Sequence, residues 1–254
     1  MRVKAFIKIL REIDPGKDGY TKFRDFLTMA SCALAKKTAE PARAEALEEQ
    51  YMQVVRSYRK KDDVRRMPEL LAMVFDQTGQ RSDFLGNVAG ELGLLEGANG
   101  QFFTPYEVCR LIAEINCGDL DRSLEQKGFI TLQEPACGAG AMLLAIADVI
   151  EDKGHDPASC LWIEAIDIAE LPYRMCFLQL ACRGLSGRVW RGNTLSMEMF
   201  ESFTLPGSFG FLDKHGSPFA TDESQPESPQ PPAESARETA ISLPLPDGEQ
   251  MTLF

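Results

Sequence analysis

Glu134-Pro135-Ala136-Cys137-Gly138-Ala139-Gly140, with a β-rich run at 129–132 before it and a strongly apolar segment at 141–150 after it, decides the fold. A short run of β-branched and aromatic residues that breaks at Glu-Pro and then opens an apolar helix reads as strand, turn, helix. Gly138 and Gly140 remove side chains where the backbone must bend and where a ligand can approach the carboxyl end of a strand. Taken alone, Gly-x-Gly is equally the mark of a tight turn that binds nothing. The third glycine of the dinucleotide fingerprint is absent, which disfavours NAD.

Outward from this unit the pattern repeats. Residues 161–168 read as a buried strand with Asp167 near its end, 173–182 as a helix, and 188–191 as a short strand running into Gly192-Asn193-Thr194-Leu195. Upstream, 106–117 reads as a helix with Val108, Leu111, Ile112 and Ile115 along one side. Strands alternating with helices imply a parallel sheet. Residues 1–97 read as helical instead. Phe23, Phe26, Leu27, Ala30 and Leu34 recur at helical spacing, an Ala/Glu/Arg-rich segment begins at Pro41, and shorter helices are expected over 67–75 and 83–94.

Two motifs in fixed order, Gly100-Gln101-Phe102-Phe103-Thr104-Pro105 and Glu134 to Gly140, resemble the S-adenosyl-L-methionine (SAM) site of adenine-N6 DNA methyltransferases, most closely the modification subunits of type I restriction systems. The resemblance implies roles by position. Phe103, Thr104 and Pro105 form the loop near the methionine half of SAM. Glu134 faces its amino or sulfonium charge, while Ala136, Gly138 and Gly140 form the close-approach turn. Asp167 accepts hydrogen bonds from the ribose, and Asn193 stands where the family has an aspartate beside the adenine. The implied architecture is α/β: a Rossmann-like SAM-dependent methyltransferase core with an incomplete sheet over 98–212, a helical N-terminal region over 1–97, and a disordered acidic Pro/Ser-rich tail over 213–254.

One part of the resemblance fails. The family's Asn/Asp-Pro-Pro-Tyr/Phe motif, which accepts hydrogen bonds from the target amino group and stacks on the flipped base, has no counterpart. Its window reads Ser202-Phe203-Thr204-Leu205-Pro206-Gly207-Ser208-Phe209, with a single proline and no preceding amide or acid. Phe203 or Phe209 could stack on a base, but nothing replaces the acceptor, so the catalytic residues stay unassigned. The first strand is left with an open edge, to be covered by 199–212, by a partner protein or by a second copy. Three functions follow: an active DNA adenine methyltransferase, a non-catalytic SAM-binding protein, or one half of a split enzyme.

Composition bounds these readings. The net charge of −11 argues against a nucleic-acid partner only on average, because residues 213–254 alone carry eight acids and two bases. A basic run, Arg56, Arg59, Lys60, Lys61, Arg65 and Arg66, is either a DNA-phosphate-contacting helix face or a solvated face opposing acids such as Glu48 and Glu49. The final Gln250-Met251-Thr252-Leu253-Phe254 resembles the pentapeptide that docks on the bacterial replication sliding clamp, or it packs on its own domain. Seven cysteines without a Cys-x-x-Cys pair fit a reducing, cytoplasmic setting. With only two histidines, a His-rich metal site is not expected, and no apolar run has the length of a membrane span.

Overall fold

The computed structural model describes residues 2–77, 79–94 and 103–219. Gly100, Gln101 and Phe102, the acidic tail from 220 onward and the candidate clamp peptide Gln250, Met251, Leu253 and Phe254 lie outside the described residues. Six helices come first: α1 (Arg2–Glu12), α2 (Gly19–Ala35), α3 (Pro41–Arg56), α4 (Lys61–Arg65), α5 (Met67–Gln77) and α6 (Phe84–Glu91). Then follow α7 (Tyr106–Asn116), α8 (Leu120–Lys127), β1 (Ile130–Glu134), α9 (Ala141–Asp152), α10 (Pro157–Cys160), β2 (Leu161–Asp167), α11 (Glu170–Cys182), β3 (Ser186–Asn193), β4 (Glu198–Thr204) and α12 (Ser208–His215).

The sheet order is β1-β2-β3-β4. β1 pairs parallel with β2 and β2 parallel with β3, placing Glu134 beside Ala165 and Asp167 beside Arg191. The strand sequence LWIEAID of β2 is apolar on both faces, as a strand covered on both sides must be. α11 is buried almost all round, with Tyr173, Met175, Phe177 and Leu178 in the core, because β3 lies on one side of it and α2, α5 and α6 lie on the other. Aromatic packing joins the N-terminal helices to one another. Phe6 meets Phe26 at 5.3 Å and Phe84 at 5.7 Å between ring centres, both edge to face, a favoured arrangement. The N-terminal helices and the sheet therefore form one compact unit, Met1–Phe219, and the expected boundary at 97/98 does not separate two bodies.

Two expectations are corrected. First, β4 is a fourth strand, and it pairs antiparallel with β3 instead of covering β1. The short connection at 194–197 makes this local pairing cheap in loop entropy, and Phe203 secures it by stacking on Tyr173 at 5.0 Å and meeting Phe177 at 4.8 Å. β1 pairs with β2 and with no other strand among the described residues. Second, the tail does not begin at 213. α12 runs to His215, and Phe211 and His215 both pack on Phe129, just before β1. The apolar side of α7 faces outward. Cys109 and Ala113 are buried against α9, while Val108, Leu111, Ile112 and Ile115 face outward, Leu111 with 59% and Ile115 with 72% of its surface exposed.

These burials give a direct contrast. Phe203→Ala should cost about 3–5 kcal/mol, as a buried aromatic truncation does, whereas Leu111→Ser should stay within about 0.5 kcal/mol. Urea unfolding of the two variants beside wild type checks both. Comparable losses would mean that Leu111 is buried.

Candidate functional site

The carboxyl ends of β1, β2 and β3 open into a cavity of about 590 Å³. Its wall includes Phe103 and Thr104 before α7, Glu134 to Ala139 from the end of β1 onward, Asp167 and Ile168 at the end of β2, and Gly192 to Leu195 at the end of β3. Of the nine residues expected at such a site, the structure brings seven together: Phe103, Thr104, Glu134, Ala136, Gly138, Asp167 and Asn193. Pro105 lines a neighbouring cavity instead. Gly140 sits at the start of α9 with φ +98°, and a side chain there would meet Sγ of Cys176 at 3.2 Å, so its task is helix packing.

Asp167 organises the floor. One oxygen accepts from the Gly138 N–H at 3.0 Å and the other from the Ala169 N–H at 2.9 Å, so this one carboxylate ties the turn after β1 to the turn after β2. Burial pushes its carboxyl above the ordinary aspartate value, and the hydrogen bonds from the Ala169 and Gly138 amides oppose that shift. Gly138 has φ +55°, and a Cβ there would stand 3.2 Å from the Phe103 ring, so a side chain at 138 would press the ring back by a few tenths of an ångström. The turn is held further by the Cys137 N–H donating to the Ile166 carbonyl at 2.9 Å.

Glu134 accepts from the Ala136 N–H at 3.2 Å and is half-exposed. Asn193 behaves more narrowly than its sequence suggested. Its side-chain oxygen accepts from the N–H groups of Leu195 at 3.0 Å and Ser196 at 3.3 Å, so what it can offer a ligand is the Nδ2 donor. The Thr194 hydroxyl donates to the Pro135 carbonyl at 2.7 Å and fastens the β3–β4 turn to the end of β1. Ile168, 56% exposed, and Leu195, 98% exposed, add apolar surface on either side of Asp167.

Sequence reasoning passed over other wall residues. Met142, expected in the helix core, is half-buried and lines the cavity, while its neighbours Leu143 and Ile146 are buried. Asp83 also lines it, and its signal was the spacing Asp83-x-x-Gly86 at a helix start, an N-cap pattern. No Lys, Arg or His belongs to the cavity wall among the described residues, so three carboxylates, Asp83, Glu134 and Asp167, set its potential. A ligand that fits must bring positive charge, hydroxyls to satisfy the acids, and a flat apolar part. Among the described residues no group of three or more His, Cys, Asp and Glu could hold a metal ion.

The base-stacking candidates stand elsewhere. Phe203 is buried against α11, and Phe209 is exposed on α12, outside the cavity wall. The basic run does not form one helix face either. It is divided between the end of α3, the link to α4 and α4 itself, and Arg56 pairs with Glu49, Arg65 with Asp62 and Arg66 with Glu12 at 2.7–2.8 Å. Arg59, Lys60 and Lys61 are exposed. His155 contacts Asp121 at 2.7 Å and His215 the Ser159 carbonyl at 2.8 Å. All seven cysteines are free thiols, six of them buried. No helix among the described residues is long and apolar enough to cross a membrane.

A family model described as N-6 DNA Methylase matches residues 84–210, half of the chain. No curated protein matches. A crystal structure from Listeria monocytogenes, described as a class I S-adenosylmethionine-dependent methyltransferase, is similar at 12% identity with a TM-score of 0.38 over 73% of this chain. This chain spans about half of that structure's length (51%).

The positive φ at the cavity turn carries a measurable cost. Gly138→Ala should destabilise the protein by about 1–2 kcal/mol from the left-handed backbone alone, with the Phe103 contact adding to it. A change below about 0.5 kcal/mol in urea unfolding would show that the turn relaxes without strain.

Proposed function

The chain belongs to the N-6 DNA methylase family, whose cofactor is SAM, and from that premise we propose that it is the SAM-binding component of DNA adenine-N6 methylation, with the target-base acceptor supplied by another chain. The observation that carries the proposal is the contrast between two ends of one fold. The cavity at β1–β3 gathers the acids, the glycine turn and the Phe103-Thr104 loop. The segment where the acceptor motif belongs is instead the antiparallel β4, whose Phe203 is locked into the core.

When bound, SAM supplies an electrophilic methyl group on a sulfonium sulfur. Everything else falls to the residues of the wall. Asp167, already fixed by two backbone N–H groups, has lone pairs left for the ribose hydroxyls. Ile168 and Leu195 would offer apolar surface to the adenine, and Asn193 could donate to it through Nδ2. Glu134 and the cavity's negative potential would favour the sulfonium charge. Phe103 would flank the methionine half. Rate would come from positioning a methyl donor in line with the adenine amino group of an extruded base.

The edge of β1 that no described strand pairs and the outward apolar stripe of α7 support the assignment of the missing part to a partner. An unpaired strand edge is a template for an added strand, and Val108, Leu111, Ile112 and Ile115 repeat at the spacing of a helix-packing face. A chain adding a strand beside β1 and a helix over α7 would cover both. The competing reading, a non-catalytic SAM-binding protein, draws on the same missing acceptor. It is distinguished by whether methyl groups ever reach DNA. The basic side chains Arg59, Lys60 and Lys61 are the exposed remnant of the run that could meet phosphate. Docking on a sliding clamp through the last five residues is kept as a separate proposal, tested by clamp pull-down with Leu253→Ala, Phe254→Ala.

Calorimetry with SAM tests the main reading. Wild type should bind, and Asp167→Ala should weaken binding at least tenfold. The affinity of wild type should also fall as pH is lowered through the raised carboxyl of Asp167, because binding needs the ionised acid while burial favours the neutral one. No heat at millimolar SAM, or binding indifferent to Asp167, would remove the proposed site.

A further inference from the structure

We propose that Asp83 is the anionic receptor for the ammonium group at the methionine end of the cofactor, an assignment that rests on reading the cavity as a SAM site. Asp83 is 5% exposed, yet it lines two adjoining cavities, the one at the strand ends and a second of about 620 Å³ that shares Phe103 and Thr104 with it. Oδ1 is fully engaged. It accepts from the Gly86 N–H at 2.8 Å, capping α6, and from Gln179 Nε2 at 2.8 Å. Oδ2 has no hydrogen-bond donor among the described residues.

That second oxygen has been given its place. Any side chain on residue 86 would strike Oδ2 at 2.0 Å, so Gly86 leaves the carboxylate room at the wall shared by the two cavities. Gln179 fixes the carboxylate relative to the glycine turn, because its Nε2 also donates to the Ala139 carbonyl at 2.8 Å while its Oε1 accepts from the Leu85 N–H at 3.0 Å. A helix N-cap needs only a neutral acceptor such as Asn or Ser. A carboxylate 5% exposed, with one oxygen that receives no donor and no Lys or Arg in either cavity wall among the described residues, is instead placed to meet a cation from the cavity. Burial indeed raises its carboxyl, with Gln179 and Gly86 opposing. Asp167 and Glu134 stand at the ends of β2 and β1; of the acids at the Phe103-Thr104 end, where the cofactor's amino acid would lie, Glu91 and Glu107 are exposed and line the second cavity alone, whereas Asp83 is buried and lines both.

The test uses the full chain and two ligands, S-adenosylhomocysteine and its analogue lacking the α-amino group, with affinities measured by calorimetry for wild type and Asp83→Asn, a variant that keeps the cap. Wild type should prefer the amino ligand by tenfold or more. Asp83→Asn should erase that preference while binding the deaminated analogue as wild type does. A preference that survives in Asp83→Asn, a parallel loss of both ligands, or a wild type without preference would overturn the proposal. If wild type binds neither ligand, the SAM reading itself fails, and the inference with it. Should Asp83→Asn not fold, Asp83→Ser, which also caps a helix, takes its place with the same outcomes.

Discussion

The carboxylate of Asp167 joins the turn at the end of β1 to the turn at the end of β2, beside the Cys137 N–H bond to the Ile166 carbonyl. By accepting from Gly138 on one side and Ala169 on the other, it fixes the exit of β1 against the exit of β2. The rest of the site depends on that link. With the turn after β1 held, Phe103 can lie over Gly138, Ala139 can offer its carbonyl to Gln179, and α9 can begin at Gly140. The cost is a carboxylate 9% exposed, whose charged form burial disfavours. Such an acid is suited to a site that is completed when a ligand brings hydroxyls and positive charge.

The helical N-terminal part serves the same end. α6 packs on α11, and the bridge through Gln179 brings Asp83 to the cavity wall. Among the described residues of the cavity wall, Asp83 is the one contributed by the segment that reads, in the sequence, as a separate helical region. The N-6 DNA methylase match begins at residue 84, inside that region, which agrees with the packing of α6 into the same compact unit as the sheet.

Much of the site was legible because its chemistry forces particular residue types at particular strand ends. A turn that must admit a ligand needs glycine, and the acid after β2 and the amide after β3 follow apolar runs that end abruptly. What stayed hidden depended on tertiary partners. α7 carries apolar residues on two sides, and its periodicity could not say which side α9 would take. β4 reads Glu-Met-Phe-Glu-Ser-Phe-Thr, an edge strand exposed along its first half, and only the burial of Phe203 against Tyr173 reveals it. The arginines at 56, 65 and 66 look like a basic face until Glu49, Asp62 and Glu12 are seen to neutralise them. Asp83 stayed hidden, since neither its burial nor its place on the cavity wall is written in the sequence.

The most direct test of the account is a crystal structure of the protein grown with S-adenosylhomocysteine. Ligand density is expected across the ends of β1–β3, with the ribose at Asp167, the adenine between Ile168 and Leu195, and the amino acid toward Phe103 and Thr104. A cavity without ligand at millimolar concentration, or a ligand bound away from Asp167, would contradict it.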